Sequence, residues 1–452
     1  AVREWRRAQE DVQLLTAALS RRDLEAFERE SLETQLASAQ RDETRLRARR
    51  DDVAPEYRAA IETPVTLDRL QAALARSVVL LITSDDIVLE SLIVGGDAVG
   101  QITRLVRDSV SYRPDGRIGG FAVDTSWLLY NMLLTPIEAE LASVSRLYVS
   151  PTGALQGLPF EVLVTEDPTP LAAATAAGDY SGLAWLGAKT PISYLPSPRS
   201  LVDLRDAAGA SAAGRPFIGF GDFRPGADPA AGIDGVRRRA CGPEVDAIRS
   251  MPPLPGTELE LRRISEIIGP RAEIVEGEAF TEARVKSMSA DGSLADYRML
   301  LFATHGLLWP NADCFQPALA ASSLELGPDQ DGLLESSEIR NLRLDAELGV
   351  LSACQSTDPL SETAAGEVLS GLTRAFLAAG SRSVLASHWE VDDAAAAEML
   401  PAFFEAVEAG QPIDAALRAA QAQLRARPEM SHPILWAPFV LFGDGARAPG
   451  GA

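Results

Sequence analysis

The run Met299-Leu300-Leu301-Phe302-Ala303-Thr304-His305-Gly306 begins with five apolar residues and then turns abruptly polar. An unbroken apolar run of this length suits a strand covered on both faces, as in a parallel sheet. A second run of the same kind, Leu348-Gly349-Val350-Leu351-Ser352-Ala353, leads into Cys354-Gln355-Ser356. Both runs therefore end in a side chain that can do chemistry. In open parallel sheets the working crevice lies beyond the carboxyl ends of the strands. If these two strands are neighbours, His305 and Cys354 leave the same edge.

Outward from this pair the rhythm is strand, helix, strand. Strands are expected at 217–220, 272–275, 383–387 and 439–442. Helices are expected at 257–268, 366–379, 392–408 and 412–426, with an interruption or kink at Pro401. Gly380 closes the helix at 366–379. Such alternation argues for a mostly parallel sheet with helices on both faces. Upstream, 77–82 and 87–94 read as a hairpin, 97–109 as a helix and 146–149 as a strand. Residues 165–182 and 224–240 are small, polar and rich in Gly and Pro, and read as loops.

Residues 1 to about 64 differ in texture, with 12 Arg and 14 Asp+Glu of nearly balanced sign. Leu15, Leu19, Leu32 and Leu36 recur at helical spacing, so this reads as a solvent-laced helical segment. It is either a regulatory spacer or the end of a repeat array. A chain that opens at Ala1 is expected to be part of a longer protein.

Composition removes several function classes. The net charge is −22 over 452 residues, which opposes direct nucleic-acid binding. No apolar run approaches the ~18 residues a membrane span needs. Three cysteines (Cys241, Cys314, Cys354) are too few for a disulfide scaffold and suit a reducing, cytoplasmic setting. With three histidines, no CxxC and no HExxH, a zinc site is not expected. The phosphate-loop motif is absent, and Gly219-Phe220-Gly221-Asp222-Phe223-Arg224 lacks the third glycine of a dinucleotide fingerprint. No cofactor is expected.

The chemistry follows from the residue types. A thiol with a pKa near ~8.5 is mostly protonated at neutral pH, and a nearby imidazole can take its proton. The thiolate can then attack a peptide carbonyl, whose oxyanion needs backbone donors. The N–H groups of Gly306 and Cys354 are the candidates. Histidine precedes cysteine by 49 residues. In caspases, too, the histidine comes first, by about 50 residues, so the spacing is an argument by analogy with that family.

These residues, with others in order, resemble the CHAT family of caspase-like cysteine peptidases, related to separase and often attached to tetratricopeptide repeats. Leu301–Gly306 is similar to its histidine motif and Leu351–Ser356 to its nucleophile motif. Gly366–Gly380 resembles the helix that follows, and Val384–Asp393 the strand lining the substrate cleft. Pro151–Leu155 through Leu158–Glu161 resembles the early hairpin, and His432-Pro433 through Trp436–Phe439 the closing motif. Gln355 stands where the family usually carries an acidic residue.

The resemblance implies a caspase-like three-layer α/β sandwich with a Cys354–His305 dyad. It implies a helical segment over 1–64, a pseudo-caspase-like α/β part over 65–214, a catalytic domain over 215–445 and a tail over 446–452. It further implies a regulated endopeptidase, held as a zymogen, that cleaves a protein partner in bacterial signalling or defence. A regulatory protein or upstream repeat domain would control it.

Candidate substrate-binding residues are Trp389, Glu390, Asp392 and Asp313. An acidic pocket would select a basic side chain, and a preference for small apolar residues stays open. Asp392 has a second reading as a helix cap. Arg237-Arg238-Arg239, in a Gly/Pro-rich stretch, is a candidate autoprocessing loop. The alternatives are a non-catalytic caspase-fold scaffold and a redox-sensing thiol protein.

Overall fold

The computed structural model describes residues 29, 35–41, 44–45, 78–84, 87–92, 95–113, 116–207, 209, 211–224, 251–307, 316–322, 331–352, 364–389 and 391–449. By contacts the chain forms two units, Ala1–Arg76 and Ser77–Ala452. In the first, the described residues are helical.

In the second unit, strand β1 (Val78–Ile82) pairs antiparallel with β2 (Ile87–Ser91), the expected hairpin. Helices α1 (Gly96–Asp108) and α2 (Val123–Leu133) follow. Strands β3 (Leu147–Val149) and β4 (Ile192–Tyr194) come next, then α3 (Pro198–Ala207) and β5 (Arg215–Gly221). Helix α4 (Pro255–Ile268), β6 (Ala272–Glu276), α5 (Glu282–Asp291) and β7 (Tyr297–Ala303) lead to the histidine. Three short strands, β8 (Gly306–Leu307), β9 (Ala318–Ala320) and β10 (Leu333–Glu335), form a small antiparallel sheet. The chain ends through β11 (Leu348–Ser352), α6 (Ala364–Ala379), β12 (Ser383–Ser387), α7 (Asp393–Glu408), α8 (Ile413–Arg425) and β13 (Phe439–Gly443).

The main sheet has eight strands in the order β3-β4-β13-β12-β11-β7-β5-β6. Every pairing is parallel except β12 with β13. The period-2 alternation of a strand sends successive side chains to opposite faces. Met299, Leu301 and Ala303 face one core with Leu261 of α4, Phe403 and Phe404 of α7 and Leu417 of α8. Leu300 and Phe302 face the other with Val285 and Met288 of α5 and Leu372 and Phe376 of α6. That makes three layers, as the apolar runs predict. In the second core Phe302 stacks on Phe220 at 4.8 Å and tilts against Phe376 at 5.3 Å.

Three expectations need correction. Residues 165–182 are not all loop: Thr169–Leu171 is a 3-10 turn and Ala172–Ala176 a short helix. Asp167 accepts the Thr169 N–H, and the following alanines favour helix. Residues 151–161 do not form a hairpin: Gly153–Gly157 and Phe160–Val162 are 3-10 turns. Pro401 does not interrupt α7. A proline removes the donor to the carbonyl four residues back, and here that carbonyl, of Ala397, accepts from Arg263 Nη1 at 3.2 Å.

Helix α6 ends at Gly380, whose φ is 118°. A side chain there would bring Cβ within 2.1 Å of the Leu344 carbonyl oxygen, so only glycine lets the chain turn this tightly.

Candidate active site

The register of four of the five co-directional strands sets one row at their carboxyl edge. Glu276 pairs with Gly221, Gly221 with Ala303, and Ala303 with Ser352. The two strands that carry the sequence's histidine and cysteine motifs are thus immediate neighbours, in register to their last residue. Gly221 is required in this row: a Cβ there would lie 2.8 Å from both the Ala303 carbonyl oxygen and Leu261 Cδ1.

His305 stands two residues beyond Ala303 in sequence and is 6% exposed. Its ring Nε2 lies 2.7 Å from the carbonyl oxygen of Pro252. A carbonyl only accepts, so Nε2 carries the proton and Nδ1 keeps the lone pair in the neutral ring. Phe223 meets the imidazole edge-on, with centroids 5.5 Å apart at 85°. Burial pushes the imidazole pKa below the usual 6.5, and the hydrogen bond to Pro252 works weakly against that. The ring is therefore a neutral base at physiological pH.

Backbone geometry fixes the neighbouring amide. The Ala320 N–H donates to the His305 carbonyl at 2.9 Å, and Gly306 stands opposite Leu319. In an antiparallel ladder bonded and non-bonded pairs alternate. His305 and Ala320 are the bonded pair, so the Gly306 N–H points away from β9. Thr304 Oγ1 donates to the Ala320 carbonyl at 2.7 Å and anchors the same turn.

The segment entering α4 lies across three strand ends. Pro252 holds His305, Thr257 Oγ1 stands 3.0 Å from the Asp222 nitrogen beyond β5, and Glu260 Oε2 accepts from Ser352 Oγ at 3.2 Å. Asp222 takes a left-handed φ of 52°, uncommon for a residue with a side chain, and so turns Phe223 onto His305. Asp222 also pairs with Arg224 at 2.7 Å. The sequence pattern marked this Gly-Asp-Phe-Arg stretch only as a failed nucleotide motif. The Pro252 carbonyl left no sequence signal, because any residue supplies a carbonyl.

Of the sequence-derived site residues, His305, Gly306, Trp389 and Asp392 are described. Cys354, Asp313, Glu390, Arg237, Arg238 and Arg239 lie outside the described residues, as do Cys241 and Cys314. Trp389 is 4% exposed, and its indole N–H donates to the Ile434 carbonyl at 3.0 Å. The Arg107 guanidinium lies 5.3 Å over its ring. Asp392 caps α7, accepting the Ala395 N–H at 2.9 Å. His388 is buried between Tyr194 and Phe442, and burial beside Arg107 pushes its pKa down to about 3, which keeps it neutral. Among the described residues no group of three or more His, Cys, Asp or Glu could hold a metal ion. Among them, too, no helix is long and apolar enough to cross a membrane.

Comparison with known proteins agrees with the family resemblance. A family model described as the CHAT domain matches residues 124–444. Tetratricopeptide repeat protein 28 of Homo sapiens is 31% identical over 222 residues, which are 42% of this chain and 8% of the relative. Its Mus musculus counterpart is 31% identical over 222 residues, 9% of that protein. The chain thus spans less than a tenth of the curated relatives it matches. Among solved structures it is similar to the Arg-specific cysteine proteinase gingipain R of Porphyromonas gingivalis, with TM-score 0.37, 9% identity and coverage of 78% of this chain and 76% of the other. It is also similar to the Saccharomyces cerevisiae separase–securin complex, with TM-score 0.37, 12% identity and coverage of 97% and 27%.

Proposed function

We propose that this chain, which belongs to the CHAT domain family, is a cysteine endopeptidase with Cys354 as nucleophile and His305 as general base and acid. The observation that carries the reading is the pairing of Ala303 with Ser352. His305 follows the first of these by two residues in sequence, and Cys354 follows the second by two. The neutral imidazole, with its Nε2 proton committed to Pro252, supports Nδ1 as the base.

In this reading Nδ1 takes the thiol proton as sulfur attacks the peptide carbonyl, forming a C–S bond and a tetrahedral oxyanion. The Gly306 N–H, free of the β9 ladder, and the Cys354 N–H would hold that oxyanion. Collapse breaks the C–N bond, and the imidazolium returns the proton to the leaving amine. A water, deprotonated by the same imidazole, then cleaves the thioester and releases the acid and the thiol.

Asp392 is engaged as a helix cap. A preference for a basic side chain would therefore rest on Glu390 or Asp313, with Trp389 shaping the wall from behind. The substrate is a protein, and a regulatory protein or repeat domain would control access.

A peptide-library cleavage assay of wild type beside Cys354→Ala tests this. Turnover lost in the variant supports the peptidase and reveals the residue preferred before the scissile bond. No turnover in either protein leaves a latched zymogen or the non-catalytic scaffold.

A further inference from the structure

We infer that Glu260 is a positioning residue for the proposed nucleophile: by holding Ser352 it fixes the end of β11 and, with it, the place of Cys354 relative to His305. The inference rests on the peptidase reading and adds to it how the two halves of the dyad are kept together.

Ser352 is the last residue of β11 and pairs with Ala303, the last of β7. Its Oγ donates to Glu260 Oε2 at 3.2 Å. Cys354 follows Ser352 by two residues. Two residues of chain reach at most ~7 Å, so an anchor on Ser352 confines the Cys354 backbone to that radius. The histidine half is held from the same stretch of chain. His305 Nε2 donates to the Pro252 carbonyl at 2.7 Å, and Pro252 precedes Glu260 by eight residues. Between them Thr257 Oγ1 accepts the Asp222 N–H at 3.0 Å.

Helix α4 serves as the fixed point because it is itself tied down. Leu261 and Ile264 are fully buried in the core, and Arg263 Nη1 donates to the Ala397 carbonyl of α7 at 3.2 Å. Glu260 is buried too, at 9% exposed. Burying a carboxylate is costly, and an apolar contact would hold a helix against a strand without that cost. What the hydrogen bond adds is direction, setting one atom at one distance. A reacting pair needs that, since a small misplacement of one partner slows the chemistry steeply.

The experiment is alkylation of the full chain by iodoacetamide across about pH 5–9, followed by peptide mapping. The reagent needs no peptide recognition, so it reads thiol activation whether or not turnover occurs. An imidazole-assisted thiol reacts below its ordinary pKa of ~8.5. Glu260→Ala and Ser352→Ala should each slow Cys354 at neutral pH about tenfold and move its pH dependence up toward ~8.5. The double variant should be no slower than either single one, because both remove one bond. Glu260→Gln, which keeps an accepting oxygen, should recover most of the rate. Cys241 and Cys314 report general loosening and should keep their wild-type rates. Rates rising together at all three cysteines, additive losses in the double variant, or an unmoved pH dependence at Cys354 would each overturn the inference. His305→Gln separates the two readings. If it moves the Cys354 profile and the Glu260 and Ser352 variants do not, this inference alone fails. If it leaves the profile in place, the dyad is absent and the inference falls with the peptidase reading.

Discussion

Arg107 donates from Nη2 to the carbonyl oxygen of His388 at 3.1 Å, joining α1 to the end of β12 across 281 residues of sequence. Its guanidinium is buried, its Nη1 has no hydrogen-bond partner, and burial pulls its pKa down to about 10. The cost of that burial offsets much of what the bond contributes. Arg107→Ala should therefore change stability by no more than about 1 kcal/mol. It should nonetheless raise KM several-fold with kcat nearly held, because the His388–Trp389 corner leads into the segment holding Glu390. Arg107→Lys, which keeps a donor, should recover part of the loss. Steady-state kinetics beside thermal melting checks this. A large stability loss with kcat and KM moving together would show that Arg107 only supports packing.

If the proposed peptidase reading holds, the buried imidazole of His305 sets the acid limit of activity. Burial penalises its protonated form, so the neutral base persists below the ordinary value of 6.5. Activity should hold as pH falls through 6.5 and fail only lower, as His305 takes a proton. The pH dependence of kcat/KM reports this pKa in the free enzyme. An acid limb at or above 6.5 contradicts the assignment.

Gly221 lets β5 and β7 approach at the row next to His305. Gly221→Ala places a methyl 2.8 Å from the Ala303 carbonyl oxygen and from Leu261. The strands must part or the helix must shift, at a cost of about 1–3 kcal/mol. Urea denaturation should show the midpoint falling at constant slope. Gly120→Ala, in an open environment, is the control and should leave the midpoint in place.

Glu161 is buried, and its Oε2 accepts the Tyr194 hydroxyl proton at 2.6 Å. Burial pushes its pKa from 4.5 up to about 7. The folded state therefore holds a proton that the unfolded state has already lost between these values. Stability from this group is full below pH 4.5 and declines as pH rises toward 7. Glu161→Gln keeps the acceptor and removes the titration, so the slope of stability against pH across this interval should flatten. An unchanged slope would rule Glu161 out as its source.

Much of the fold was legible because its signals are local. The apolar runs around Leu301 and Val350 announce buried strands, and their pairing follows from two-sided burial. The hairpin around Leu80 and Leu89, the Gly380 stop and the Asp392 cap are likewise written in adjacent residues. The ends of β7 and β11, at Ala303 and Ser352, were legible for the same reason. What escaped was set by distant backbone. The Pro252 carbonyl on His305, the Arg107 bond to His388 and the Ser352–Glu260 bond join residues whose types alone announce nothing. The interior position of β13 and the three short strands after His305 escaped too, since short segments carry too few residues to show a period.

The most direct test of the dyad is peptide mapping after treatment with a peptidyl acyloxymethyl ketone, a reagent that alkylates an activated thiol. Wild type should take one adduct, on Cys354 and not on Cys241 or Cys314, and His305→Gln should take almost none. Labelling spread over the three cysteines, or labelling of Cys354 that persists unchanged in His305→Gln, would contradict the account.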